Sequence, residues 1–160
     1  MSEVTLHDEA GFSYDTFRNS VPAAHAALLA LGEAVDEAGL DKRLSEIVKI
    51  RVSQINGCAF CVGFHLDTAR RLGIADPILD AIAVWRDSPV FSARERTALA
   101  WAEHLTRMAD GAAPSHSAEP PSALLSRDET LLLTVAIAAI NAWNLIAGGL
   151  HFSPLAQRAA

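Results

Sequence analysis

Apolar positions recur along the chain at intervals of three and four, and no stretch shows the strict alternation of a half-buried strand. Ala and Leu dominate these stretches, and glycines, prolines and capping residues fall between them at the spacing of helix hairpins. After a loose first dozen residues, the pattern predicts a helix from about Val21 to Glu37, with Pro22 in its first turn and Gly39 as its stop. Asp41 caps a second, KRLSEIVKIRVSQIN (residues 42–56), closed by Gly57. A third, CAFCVGFHLDTARRLG, begins at Cys58 and stops at Gly73, and a short one follows in ADPILDAIAVWRD.

Ser92 and Glu95 form a capping box for SARERTALAWAEHLTRMAD, where Ala98, Trp101, Leu105 and Met108 make an apolar stripe. GAAPSHSAEPPS (residues 111–122) is too proline-rich to be anything but a loop. Ser126 and Glu129 form a second capping box and open the most apolar segment of the chain. The expectation is an all-α bundle of about six helices in a single domain spanning residues 1–160.

That last segment, LLLTVAIAAINAWNLIAGGL (residues 131–150), is just long enough to cross a bilayer. Thr134, Asn141 and Asn144 interrupt it, Gly148 and Gly149 weaken its end, and no basic cluster flanks it. It reads instead as a helix buried in the core or in a subunit interface. The 160 residues, 51% of them hydrophobic, suffice for one sizeable core. A net charge of -6 and a pI near 5.4 argue against nucleic acid as a partner. The acidic start MSEVTLHDEAGF lacks a secretory pattern, so a cytoplasmic setting is expected.

In a reducing compartment, two cysteines two residues apart point to redox or metal chemistry rather than a secreted disulfide framework. Cys58, Cys61 and His65 share one face of a helix, because they are offset by three, four and seven positions. Cα atoms three apart on a helix lie roughly 5–6 Å from one another, a span that a disulfide tolerates. The helix start also stabilises a thiolate. No strand precedes the pair, which excludes the thioredoxin setting.

Two other readings stand beside the redox one. Two buried thiols can act as small hydrophobes. Alternatively, Cys58, Cys61 and His65 with Glu46 could ligate zinc, although a second Cys/His pair is lacking. Spacing alone makes Glu46 an exposed residue paired with Lys42 or Lys49. Ser53, two turns further along that face, is a candidate to line the same pocket. His25, His104 and His151 have no partner at a suggestive spacing and read as surface or core-edge residues. Trp85, Trp101 and Trp143 read as packing residues.

Glu46, Cys58, Cys61 and His65 together spell E-x11-C-x2-C-x3-H, and SEIVKIRVSQINGCAFCVGFHLDTARRLGI surrounds that pattern. This resembles the alkylhydroperoxidase D-like proteins of the carboxymuconolactone decarboxylase superfamily, over roughly residues 14–148. The resemblance implies an all-helical subunit, assembly into trimers or hexamers, and thiol-dependent reduction of hydroperoxides without metal or other cofactor. It assigns Cys61 as the attacking thiolate, Cys58 as the resolving thiol, and Glu46 and His65 as a proton relay. Alkylhydroperoxidase D itself carries a histidine just before the second cysteine, where this chain has Phe60. An external dithiol, lipoyl-bearing or thioredoxin-like, is the implied reductant. The alternative function is a redox-sensing or interaction protein whose cysteine pair switches without turnover.

Overall fold

The computed structural model describes residues 12–108, 120–121 and 123–154. They form seven α-helices and no strand. These are α1 (Tyr14–Ser20), α2 (Pro22–Glu37), α3 (Lys42–Ile55), α4 (Ala59–Arg71), α5 (Asp76–Ala81), α6 (Ala93–Met108) and α7 (Arg127–Gly149), with a single 3-10 turn at Ile82–Val84. The all-α expectation holds. The expected loop at 111–122 lies outside the described residues except for Pro120 and Pro121.

The capping residues act as anticipated. Asp41 Oδ1 accepts from the Leu44 N–H at 2.7 Å. Ser92 and Glu95 exchange bonds reciprocally, as do Ser126 and Glu129. Pro22 opens α2 at a position where its missing N–H costs nothing. Gly57 adopts a φ of +66°, the left-handed conformation that lets the chain reverse between α3 and α4 within three residues.

Three details differ from the sequence pattern. α1 was not anticipated: it is short and buries none of its residues, so no apolar stripe announces it. It rests on a Ser13 cap and on the aromatic side chains Tyr14 and Phe17. The fourth predicted segment is helical only over Asp76–Ala81 before tightening into the 3-10 turn. Finally, α4 begins at Ala59, so Cys58 is its N-cap rather than a first-turn residue.

α3 is the central helix, packed against α4, α6 and α7. Leu44, Val48 and Val52 join Val35, Ala98, Ala102, Leu133 and Ile137 in one core cluster. Ile47 and Ile50 join Leu79, Ile82, Trp85 and Leu99 in another. Each such aliphatic side chain taken wholly out of water contributes roughly 1.5–3 kcal/mol.

The polar interruptions of α7 are all partnered. Trp101 Nε1–H donates to Thr134 Oγ1 at 3.0 Å, Asn141 Nδ2 to Thr106 Oγ1 at 3.3 Å, and Asn144 Nδ2 to Ser53 Oγ at 3.1 Å. One face of α7 is therefore a core face, as its sequence suggested. By length and composition alone α7 could cross a membrane, yet Leu133, Ala136, Ile137, Ala139, Ile140 and Ala147 are buried within the bundle.

A second feature was not legible in the pattern. Glu103 is 1% exposed, and it gathers Trp85 Nε1–H, Arg51, Arg86 and Arg107 on its two carboxylate oxygens. Burial alone would raise its pKa, but the bonds from Trp85, Arg86 and Arg51 outweigh it and hold the carboxyl below its ordinary value of 4.5. Because the folded-state pKa is the lower one, this stabilisation is complete above the unfolded value and is lost as pH falls through the folded one. Glu103→Ala is expected to lose about 3 kcal/mol, because it strands the largely covered Arg51 guanidinium and the buried Trp85 N–H, lowering the melting midpoint at pH 7 by roughly 10 °C. The deficit should shrink as pH drops below about 4.5, as followed by circular dichroism melts.

Candidate active site

The α3–α4 hairpin brings the four motif residues into two adjoining pairs. Glu46, from α3, is 3% exposed, which corrects the exposed-helix expectation for it. Its Oε2 receives His65 Nδ1–H at 2.7 Å and its Oε1 receives Lys49 Nζ at 2.9 Å. Burial pushes the Glu46 pKa up, but the bond and charge of His65, together with those of Lys49, more than reverse this. The carboxyl therefore sits below the ordinary 4.5 and is ionised at neutral pH. An ionised carboxylate on Nδ1 fixes the His65 proton there, leaving Nε2 free as a base.

Cys58 and Cys61 form a disulfide with Cα atoms 5.3 Å apart, and both residues are 3% exposed. Cys58 occupies the N-cap of α4, where its sulfur accepts the Cys61 N–H at 3.3 Å. This is the role that Ser, Asp or Asn usually fills, and it places Cys58 Sγ against the positive end of the helix dipole.

The two sulfurs differ in what they face. A cavity of about 310 Å³ is bordered by Cys61, Glu46, Lys49 and His65, whereas Cys58 does not border it. Leu28, Leu29 and Val35 of α2, Phe60 and Phe64 of α4, and Ile140 and Trp143 of α7 supply its apolar walls. Glu33, Asp36 and Lys42 add charge, with Lys42 paired to Asp36. A carboxylate–imidazole pair that borders the same cavity as a cysteine is chemically able to take up a thiol proton and hand it to a leaving oxygen.

Ser53 lies elsewhere. Its hydroxyl donates to the Lys49 carbonyl at 2.8 Å and accepts from Asn144, and it borders a separate shallow groove with Gly57 and Val62. The zinc reading finds no support in the geometry. Among the described residues, no group of three His, Cys, Asp or Glu side chains is placed to hold a metal ion.

His25 is not at the surface. It is buried among Tyr14, Phe17 and Trp143, and Tyr14 Oη lies 2.8 Å from its Nε2. Trp143 accordingly borders the cavity in addition to packing. His104 stacks on Trp101 with ring centroids 5.4 Å apart, and His151 is exposed at the end of α7. Tyr14 and His25 escaped the sequence reading because eleven positions and a helix break separate them, and no periodicity spans that gap.

The sequence model of the carboxymuconolactone decarboxylase family matches residues 22–104. The uncharacterized protein YdfG of Bacillus subtilis is 27% identical over 125 residues, covering 78% of this chain and 85% of that protein. The uncharacterized protein YnjA of Escherichia coli is 43% identical over 65 residues, which are 40% of this chain and 35% of that protein.

Among solved structures, a protein of unknown function from Agrobacterium tumefaciens, suggested to be the antioxidant defence protein AhpD, superposes with a TM-score of 0.81. The two are 38% identical, and the match covers 88% of this chain and 97% of that one. A peroxidase-related protein from a Silicibacter species shares the fold, with a TM-score of 0.69 at 22% identity over 82% of this chain and 70% of that one.

Proposed function

The chain belongs to the carboxymuconolactone decarboxylase family, with an AhpD-like all-helical fold, and from that premise we propose that it is a thiol-dependent peroxidase reducing organic hydroperoxides. The observation that carries this reading is that Cys61 and the hydrogen-bonded Glu46–His65 pair border the same largely apolar cavity. In the reduced protein, His65 Nε2 takes the Cys61 thiol proton. The Cys61 thiolate attacks the terminal oxygen of R–O–OH, the S–O bond forms, and the O–O bond breaks. The departing alkoxide takes up a proton to become an alcohol, and Cys61 is left as a sulfenic acid. Cys58 then attacks the Cys61 sulfur, expels water and closes the disulfide.

An external dithiol reopens the bond, as a lipoyl group or a thioredoxin-like protein could. Attack on Cys61 releases Cys58 as a thiolate, which the N-terminus of α4 stabilises as a leaving group. No metal or other cofactor enters this scheme. Its direct test is a thiol count. Protein reduced with a dithiol and freed of it should titrate two thiols per chain, and one equivalent of an alkyl hydroperoxide should return that count to zero. Thiols that survive excess hydroperoxide would refute the reading.

We also propose that the protein acts as a homo-oligomer, a trimer or a hexamer. Leu131, Val135, Ala138 and Leu145 line one outward stripe of α7, and Leu145 is 77% exposed. An apolar stripe of this kind is stable in water when another surface covers it. Light scattering should give three or six times the 17.1 kDa chain mass, and Leu145→Asp should shift it toward one. A monomeric wild type at micromolar concentration would contradict this.

A further inference from the structure

The cavity has a second polar device, carried on α1 and α2, outside the cysteine motif. Tyr14 stands at the start of α1 and borders the cavity, its ring stacked on Phe60 at 5.8 Å and 24°. Phe60 adjoins Cys61 in the chain and shares its core cluster. Behind Tyr14, His25 of α2 is 8% exposed, and its Nε2 lies 2.8 Å from the Tyr14 hydroxyl. Phe17 and Trp143 pack edge-on against the imidazole and hold it in place.

Most other donors on the cavity wall are already committed. Lys42 pairs with Asp36, Lys49 and His65 both bond Glu46, and the Thr68 hydroxyl donates to the Phe64 carbonyl. If His65 serves as the base that removes the Cys61 proton, a separate acid for the departing oxygen divides the labour in the usual way of general acid–base pairs.

We propose that the Tyr14 hydroxyl is that acid, a catalytic residue oriented by His25, a positioning residue. With the His25 proton on Nε2, the ring donates to Tyr14 Oη and leaves the hydroxyl hydrogen free for the cavity. When the Cys61 thiolate attacks the terminal peroxide oxygen, the O–O electron pair departs on the alkoxide. Tyr14 gives it a proton, yielding the alcohol. The resulting phenolate is held by His25 Nε2–H until water reprotonates it. Phenols are stronger acids than alcohols, so transfer to the alkoxide runs downhill. The inference rests on the peroxidase reading and adds to it a residue from outside the cysteine motif.

Leaving-group chemistry tests it. An alkyl hydroperoxide expels an alkoxide that needs a proton, whereas a peroxycarboxylic acid expels a carboxylate that does not. Tyr14→Phe keeps the ring on Phe60 and removes only the hydroxyl. It should slow the reduced protein about 10²-fold with tert-butyl hydroperoxide and leave its rate with peracetic acid unchanged. His25→Leu should show the same selective loss, and His25→Gln, which can still donate an N–H, should recover part of it. Equal slowing with both oxidants, or slowing with neither, overturns the assignment to Tyr14. A wild type inert toward both oxidants overturns the peroxidase reading itself, so the two failures can be told apart.

Discussion

Cys61→Ser is expected to end hydroperoxide consumption, bringing it to the uncatalysed background, because the variant has no thiolate bordering the cavity. Cys58→Ser should fail differently. Sulfenate formation needs only the attacking thiolate, so this variant should consume one equivalent and stop, leaving a sulfenic acid on Cys61 that a dimedone-type reagent traps. Two local effects compete here. The N-cap position stabilises a thiolate on Cys58, through the Cys61 N–H and the helix dipole. Access favours Cys61: the two residues are equally buried, but only Cys61 borders the cavity. Access decides, because a thiolate that a peroxide cannot reach does not react. Mass spectrometry after one equivalent reads the outcome. A trapped adduct forming readily on Cys58 in Cys61→Ser, and not on Cys61 in Cys58→Ser, would reverse the roles.

Glu46→Gln is expected to slow hydroperoxide reduction by about 10²-fold, the usual scale for losing one member of an acid–base relay. The neutral amide no longer fixes the His65 proton on Nδ1, and it leaves Lys49 Nζ without its anionic partner. Far-UV circular dichroism of the variant should remain that of the wild type, because Gln keeps the side chain's shape and one acceptor. The carboxyl is ionised well into the acid range, so the wild-type rate should not depend on Glu46 titration between pH 6 and 8. A variant with the wild-type rate would reduce Glu46 to a buried structural anion.

The α3–α4 hairpin was legible in the sequence because its signals are local. Asp41 caps, Gly57 turns, and Glu46, Cys58, Cys61 and His65 lie within twenty positions at helical spacing. Burial of Glu46 was harder to see, since i, i+3 pairing with Lys49 looks the same on a solvated face; the second bond, from His65 across the hairpin, takes it inside. The N-cap role of Cys58 was hidden by chemistry, because sulfur is an uncommon cap acceptor.

What could not be read at all depends on contacts between distant segments. Tyr14, Phe17, His25, Phe60 and Trp143 come from four helices and share no periodicity, so neither the aromatic box nor helix α1 had a sequence signature. Glu103 gathers Arg51 and Trp85 from 52 and 18 positions away, and only the folded bundle brings them together. Ser53 shows the converse error. It shares a helix face with Glu46, yet the arrival of Asn144 from α7 assigns its hydroxyl to the core rather than to the cavity.

The central claim is turnover at the Cys58–Cys61 pair, and one measurement addresses it directly. Purified protein at low micromolar concentration is supplied with an alkyl hydroperoxide and an excess of dihydrolipoamide or dithiothreitol, and the equivalents of peroxide consumed per chain are counted. A thiol peroxidase should consume many equivalents above the background of the dithiol alone, and Cys61→Ser should consume none above it. Consumption that halts at one equivalent per chain while reductant remains would instead describe a redox switch and contradict the account.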